Sequence, residues 1–400
     1  MCVIDADRQV LERRSVEHSG SAIAQFVEWL TRISDGDPST TAVAIETPRG
    51  AIVEVLVERG FHVYAVNPKQ LDRFRDRHTV TGAKDDRRDA FVLADSLRTD
   101  QPCFRRVLVD DPLILQIREL SRIDEDLRHE ANRLQNRLRE QLHRFFPQML
   151  RLSPAADEPW LWALLELAPT PAAAARLRKV SVLKLLRSHR IRRVSAEEVL
   201  NELKAPALQV APGAVEAASA HIALLLPRLR LVHDQRADCG RHIEALLDRL
   251  APTGDAEGQR REHRDVQILR SLPGVGRVVA ATMLAEASQP LAERNYHALR
   301  AHGGIAPVTK QSGKRARVMM RHGCDGRLRN AFYRVSTQVA PHARAQYAVL
   351  RQRGHTHGRA LRSVADRLLR ILVAMLKSAT LYDPNRPRRV PTGAPSPVIA

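Results

Sequence analysis

The spacing of hydrophobic positions changes period along the chain, and each change marks a different kind of structure. In the first hundred or so residues the apolar runs are short and β-rich. Cys2–Ile4 and Val10–Val16 flank the polar turn Asp5-Ala6-Asp7, which predicts two short strands. Ala22–Ile33 follows helical spacing through Ile23, Phe26, Leu30 and Ile33. Thr41–Ile45 then reads as a buried strand. Pro48 suits the first position of a helix and Gly60 the position just past its end, with Ile52, Leu56 and Val57 between them. Phe61–Val66 is the next strand, closed by Asn67-Pro68. Strand, helix and strand in that order predict an α/β unit around a mixed sheet.

From Lys84 the period becomes helical through Asp86, Asp89, Ala90, Leu93, Ala94 and Leu97. A heptad stretch follows: Leu113, Ile117, Leu120, Leu127, Ala131, Leu134 and Leu138, with Asp124 at a core position. A second has Leu225, Leu229, Val232, Cys239, Ile243, Leu246 and Leu250, with Arg236 at a core position. Two such helices predict an antiparallel hairpin, a dimerising coiled coil, or packing against the chain's own domains. The segment 151–213 between them is helical and rich in Leu, Ala and Arg, with turns at Pro169-Thr170-Pro171 and Pro212-Gly213. The expected fold class is α/β plus all-α. Residues 1–108 form the α/β domain, 109–150 a coiled-coil helix, and 151–265 a helical linker with the second coiled-coil helix. Residues 266–384 form a helical basic domain, and the Pro-rich tail 385–400 is expected to be disordered.

Composition narrows the function classes. With 44% apolar and 27% charged residues, the chain can build cores without disulfides. Its four cysteines lack the spacing of a zinc site or a disulfide framework. Its apolar runs are too short for a membrane span, and Met1 is not followed by a basic segment and an apolar core, so a cytoplasmic protein is expected. The formal charge of +19 is concentrated: residues 301–400 hold 19 Lys and Arg against 3 acids. Residues 1–300 hold 45 against 42. A polycationic end on a near-neutral body calls for a polyanionic partner. A membrane surface would want a basic amphipathic helix or a lipid anchor, and no lipidation signal is present. Aromatics are only 4%, so phosphate contact outweighs base stacking.

Four constellations could carry chemistry. Glu46 lies at the end of a predicted strand, and Asp86 and Asp89 are spaced to share one face of a helix. Such carboxylates can hold Mg²⁺; equally, Asp85 and Asp86 can cap the helix while Arg87 and Arg88 neutralise them. Leu272-Pro273-Gly274-Val275-Gly276 precedes a helix over Val278–Ala287; this is either an ordinary inter-helix turn or, as so basic a domain favours, a helix-hairpin-helix-like turn in which Gly274 and Gly276 expose backbone amides to a phosphate. Thr309–Arg317 reads as a basic loop, with Ser312 beside Gly313 and ringed by Lys310, Lys314, Arg315 and Arg317. That serine is a phosphate contact or a nucleophile, although no base is spaced to activate it. Gly354-His355-Thr356-His357-Gly358 offers too few ligands for a metal and reads as a polar loop. Arg327, Arg329, Arg359, Arg362 and Arg367 suit nucleic-acid backbone clamps.

These pieces meet in one pattern. Ala44-Ile45-Glu46-Thr47-Pro48-Arg49-Gly50, Val66-Asn67-Pro68 and Lys84-Asp85-Asp86-Arg87-Arg88-Asp89-Ala90 resemble the N-terminal domain of the DEDD transposase and Piv/MooV invertase family of insertion sequences. Leu272–Gly276, Gly303-Gly304-Ile305-Ala306-Pro307, Gln311-Ser312-Gly313-Lys314 and Leu328-Arg329 resemble that family's second domain. Order and spacing fit across essentially the whole chain.

The resemblance implies an RNase H-like (RuvC-like) N-terminal domain with Mg²⁺ held by four acids in the order Asp, Glu, Asp, Asp. It also implies a C-terminal serine that forms a covalent phosphoserine with DNA, a structured guide RNA encoded by the element, and a homo-oligomer. By position, Glu46, Asp86 and Asp89 are the second, third and fourth acids, and Ser312 is the nucleophile. The family's first aspartate belongs to a strand before the one read as Cys2–Asp5, so a sheet short of one strand and a site short of one ligand are expected. Asp5 and Asp7 lie in the hairpin turn and do not replace it. The implied activity is an insertion-sequence transposase that cleaves and rejoins DNA in the nucleoid-associated cytoplasm. The alternatives are a Mg²⁺-dependent junction-resolving nuclease that uses the acids alone, and a defective copy that only binds nucleic acid.

Overall fold

The structure is a computed structural model that describes residues 1–48, 50–77, 85–107, 111–211, 213–251, 261–313, 315–338 and 341–384, with backbone alone at 261–264, 337–338 and 341–342. The expected disordered tail, Lys84 and Lys314 lie outside the described residues. The chain divides into two compact units, Met1–Asp111 and Pro112–Ala400.

The first unit opens with an antiparallel hairpin of β1 (Cys2–Ile4) and β2 (Val10–Arg13). Helix α1 (Gly20–Ile33) is capped by the Ser19 hydroxyl, which accepts from the Ala22 amide, and it buries Ile23, Phe26, Val27 and Leu30. Strand β3 (Ala42–Ile45) runs parallel to β4 (His62–Ala65) across helix α2 (Ala51–Glu58). Helix α2 begins three residues later than Pro48 suggests, because Gly50, at φ 102°, turns the chain into it. Asn67-Pro68 does more than close β4. Asn67 caps helix α3 (Pro68–Asp76) in a capping box with Gln70, and Pro68 supplies the pre-set φ of a first helical residue. Helix α4 (Asp86–Asp100) follows, then β5 (Arg105–Arg106), antiparallel to β4.

The sheet order is β3-β4-β5, and β1-β2 form a separate sheet, so the outer edge of β3 carries no strand among the described residues. Helix α4 packs on both β1 and β3. Its buried Asp95 accepts from Arg98, whose guanidinium also reaches the Ala6 carbonyl, and pairs with Arg8 at 3.3 Å. The hairpin turn is thereby tied to α4 by charge rather than to β3 by a backbone ladder.

The second unit is built on a helix pair. Helix α5 (Pro112–Phe145) leads into α6 (Gln148–Leu152), α7 (Pro159–Leu167), α8 (Pro171–Ala175), α9 (Lys179–Ser188) and α10 (Ala196–Leu203), and α11 (Ala214–Leu250) returns along α5. Cys239 donates to the Leu120 carbonyl, Arg236 faces Asp124 and Arg228 faces Glu130. Residue numbers rise on one helix as they fall on the other, so the pair is antiparallel and closed within one chain. The two charged breaks in the heptads meet each other, Arg236 Nε lying 3.5 Å from Asp124 Oδ1.

One end of the pair, with Leu134, Leu138, Ile222 and Leu226, shares a core with α6 to α10 around Trp160 and Trp162. The other end, with Ile114, Ile117, Ile243 and Leu247, shares a core with the C-terminal elements. These are α12 (Arg261–Ser271), α13 (Arg277–Glu286), α14 (Ser288–Ala292), α15 (Tyr296–His302), the hairpin of β6 (Val308–Ser312) and β7 (Arg315–Met319), α16 (Gly326–Gln338), α17 (Pro341–Gln352) and α18 (His357–Ser378). Helix α13 is buried through Val279–Ala285, a run of small and apolar residues that lets α5, α11 and α16 approach it closely. The basic loop expected at Thr309–Arg317 is instead the β6-β7 hairpin. Gly313, at φ 55°, supplies the left-handed step that a two-residue connection needs. No helix among the described residues is long and apolar enough to cross a membrane.

Candidate functional sites

In the first unit, the start of α4 sorts its acids. Asp85 is the cap, its side chain accepting from the Arg87 amide at 3.2 Å. Asp86 is the first helical residue and is exposed, and Asp89 lies one turn on, half-buried. Glu46 directly follows β3 and is exposed. Asp89 is held bidentately by Arg75 of α3, with Nε to Oδ1 at 2.6 Å and Nη2 to Oδ2 at 2.7 Å. The same guanidinium bonds Asp72. Arg75 is pushed above the usual arginine range, chiefly by its hydrogen bond to Asp89, with the charges of Asp72 and Glu46 adding to it. One cation thus lies in the field of three acids, Glu46 among them.

The donors are hard carboxylate oxygens, the type a divalent cation such as Mg²⁺ takes. Among the described residues, no three acidic, histidine or cysteine side chains converge closely enough to share an ion. The charge that meets Asp89 is the guanidinium. Arg75 and Asp72 escape a reading by motif. Their signal is Asn67-Pro68 followed by Gln70, a capping box that announces a helix and sets its i, i+3 face.

In the second unit, Ser312 ends β6 opposite Arg315, and Lys310 stands opposite Arg317. Directly opposed residues share a face of an antiparallel pair. Ser312, Lys310, Arg315 and Arg317 therefore form one face. Thr309, Gln311, Ala316 and Val318 form the other, which has no charge. The four residues of the cationic face are exposed, and its three cations meet no carboxylate among the described residues. Opposed like charges weaken a hairpin, so this face is built for an anion from outside.

In the turn before α13 the Val275 amide bonds the Leu272 carbonyl at 3.0 Å with Gly274 at φ 86°, and Gly276 caps the helix without a side chain. Gly303 and Gly304 are fixed by packing. A Cβ on Gly303 would lie 2.5 Å from the Phe332 ring, and one on Gly304 2.7 Å from Cys324 Sγ.

Two arginines expected as backbone clamps are placed otherwise. Arg327 donates to Ser121 Oγ at 2.7 Å and lies 3.3 Å from Glu286 and 3.5 Å from Glu125, so its guanidinium ties α16 to α5 and α13 instead of facing solvent. The cause is local: the acids of α5 and the end of α13 converge where α16 begins. Arg329 packs its chain against Gly304 and points Nη1 at Cys324 Sγ. The histidine loop shows a Tyr347–His357 hydrogen bond of 2.7 Å and no metal-ligand group among the described residues.

Carboxylates at a strand end and a helix start, and a serine on a cationic hairpin face, are groups suited to a phosphate-bearing substrate. Residues 1–147 match a family profile described as a transposase, and residues 266–348 match one described as the transposase IS116/IS110/IS902 family. The mini-circle transposase for IS117 of Streptomyces coelicolor is 31% identical over 396 residues, covering 96% of this chain and 93% of that protein. The IS110 43.6 kDa protein of the same organism is 29% identical over 78% of this chain and 75% of its own length. Transposase y4uE of Sinorhizobium fredii is 51% identical over 48% of this chain, a match that spans 54% of that relative. The chain belongs to the IS116/IS110/IS902 family of insertion-sequence transposases.

Proposed function

We propose that this transposase cleaves and rejoins DNA through a covalent intermediate at Ser312. The observation that carries the reading is the face shared by Ser312, Lys310, Arg315 and Arg317. Ser312 Oγ attacks the scissile phosphorus. A bond forms between that oxygen and phosphorus, and the bond to a deoxyribose oxygen breaks. The serine proton leaves to water, which reaches the exposed strand end, and the leaving oxygen takes up a proton. The opposed Arg315, with Lys310 and Arg317 on the same face, stabilises the extra negative charge of the five-coordinate phosphorus. The reverse attack by a new DNA hydroxyl restores the serine, so the phosphodiester energy is conserved and no nucleotide cofactor is needed.

Glu46, Asp86 and Asp89 would hold Mg²⁺. When bound, that ion supplies a Lewis acid for the phosphate oxygens. Asp89 serves this role only when Arg75 transfers to Asp72, which it already contacts. Gly274 and Gly276 offer backbone amides to phosphate, and the basic C-terminal domain grips DNA and a structured guide RNA. A homo-oligomer is supported by Leu224 and Leu231, seven residues apart on α11 and 72% and 58% exposed.

The test is trapping. Element-end DNA incubated with protein and Mg²⁺, then denatured, should leave a covalent adduct on the Ser312 peptide. DNA cleavage without any adduct would favour water as nucleophile and the acids alone as the catalytic set.

A further inference from the structure

The first 300 residues are near neutral only on average. Between Arg176 and Arg193 the chain carries eight Lys and Arg and no acid. The structure sets all eight on the surface of the lobe formed by α6 to α10. Lys179 is neutralised by Glu197 and Arg193 by Glu158. The other six, Arg176, Arg178, Lys184, Arg187, Arg190 and Arg192, meet no carboxylate among the described residues.

They come from three places: the turn before α9, its outward face, and the turn after it. Lys184 and Arg187 are one turn apart and repel each other. Arg190 holds the left-handed position that closes α9, at φ 55°, where glycine is the unstrained choice, and the Ile191 amide completes the closure on the Leu186 carbonyl. Unrelieved repulsion gathered in one place is the footprint of an absent polyanion. The apolar side of α9, Val182, Leu185 and Leu186, is packed into the lobe core, and Val180 is the one large apolar side chain that α9 exposes beside Lys184 and Arg187, less than a bilayer-binding helix presents.

We infer that this lobe is a second nucleic-acid surface, which takes the phosphate backbone of a segment other than the one met by the serine hairpin. Helix α5 lends Ile114 to the C-terminal core and Phe145 to the lobe. Those residues lie roughly 45 Å apart along the helix at 1.5 Å per residue, about 13 bp of duplex. The two surfaces belong to cores at opposite ends of α5, which suits them to different segments of one long nucleic acid. The inference rests on the reading of this protein as one that acts on nucleic acid.

The experiment measures binding of a duplex of about 40 bp and arbitrary sequence to the full chain, as log affinity against log salt, where each phosphate contact contributes about −0.9. The variant Arg178→Gln/Lys184→Gln/Arg187→Gln/Arg190→Gln should make the slope shallower by about three to four. Arg315→Gln/Arg317→Gln should take away about two of its own, and the combined variant should lose the sum. If the quadruple variant does not fold, Lys184→Gln and Arg187→Gln singly, both at exposed positions, should each remove about one. An unchanged slope overturns the inference. So does an unchanged slope accompanied by lost binding to phosphatidylserine vesicles, which would assign the lobe to membranes. Adduct formation at Ser312 is read separately, so either reading can fail without the other.

Discussion

At the residue scale, the acidic site is held by an internal cation. Arg75 bonds both oxygens of Asp89 and also Asp72, so removing it takes away a charge-assisted pair and frees a carboxylate at once. Arg75→Gln should lower stability by about 1–2 kcal/mol in chelator, a value limited by partial exposure. Millimolar Mg²⁺ should then raise its melting temperature more than it raises the wild type's. Equal shifts would separate Arg75 from the ion site. Glu46, Asp86, Asp89 and Ser312 can be singled out as candidates because they sit inside short motif-like runs. Arg75 is not, because its meaning depends on a contact fourteen positions away between two helices. Glycines divide the same way. Gly274 announces a turn, whereas Gly303 reveals its role only through the Phe332 ring, buried at 4% exposure. Gly303→Ala forces a contact that a packed ring cannot relieve and should cost about 1–3 kcal/mol in a denaturant titration.

At the element scale, the heptads of α5 and α11 were readable and their partnership was not. Period alone cannot tell a helix that pairs within its chain from one that pairs with a second copy. The charged breaks hold the answer, since Asp124 and Arg236 make sense only opposite each other. Asp124→Ala leaves Arg236 near a core without its counter-charge and should cost about 2–3 kcal/mol, less than for a fully buried pair because Arg236 is partly solvated. Asp124→Leu together with Arg236→Leu should recover most of that loss. A double variant as unstable as the single one would show that the pair does more than settle its own charges. The β6-β7 hairpin was missed for a different reason. Its composition is that of a loop, and only the two-residue Gly313-Lys314 connection between runs of equal length signals strands. The difference matters for chemistry, because a strand fixes Ser312 on the same face as three cations and a loop does not.

At the scale of the whole molecule, charge is organised in surfaces that sums over long segments blur. The +16 of residues 301–400 is plain from counting, while the run 176–193 disappears into the acids that flank it. That an α/β region precedes a helical one was legible because the period of apolar positions changes along the chain. The acids belong to one unit and the serine to the other, so the proposed function turns on whether the serine is chemically competent. The most direct measurement is the denaturation-resistant adduct between this protein and element-end DNA, compared with Ser312→Ala at matched duplex affinity. An adduct on the Ser312 peptide is expected in the wild type, with loss of both adduct and strand rejoining in Ser312→Ala. An adduct of equal yield in Ser312→Ala would contradict the proposed function.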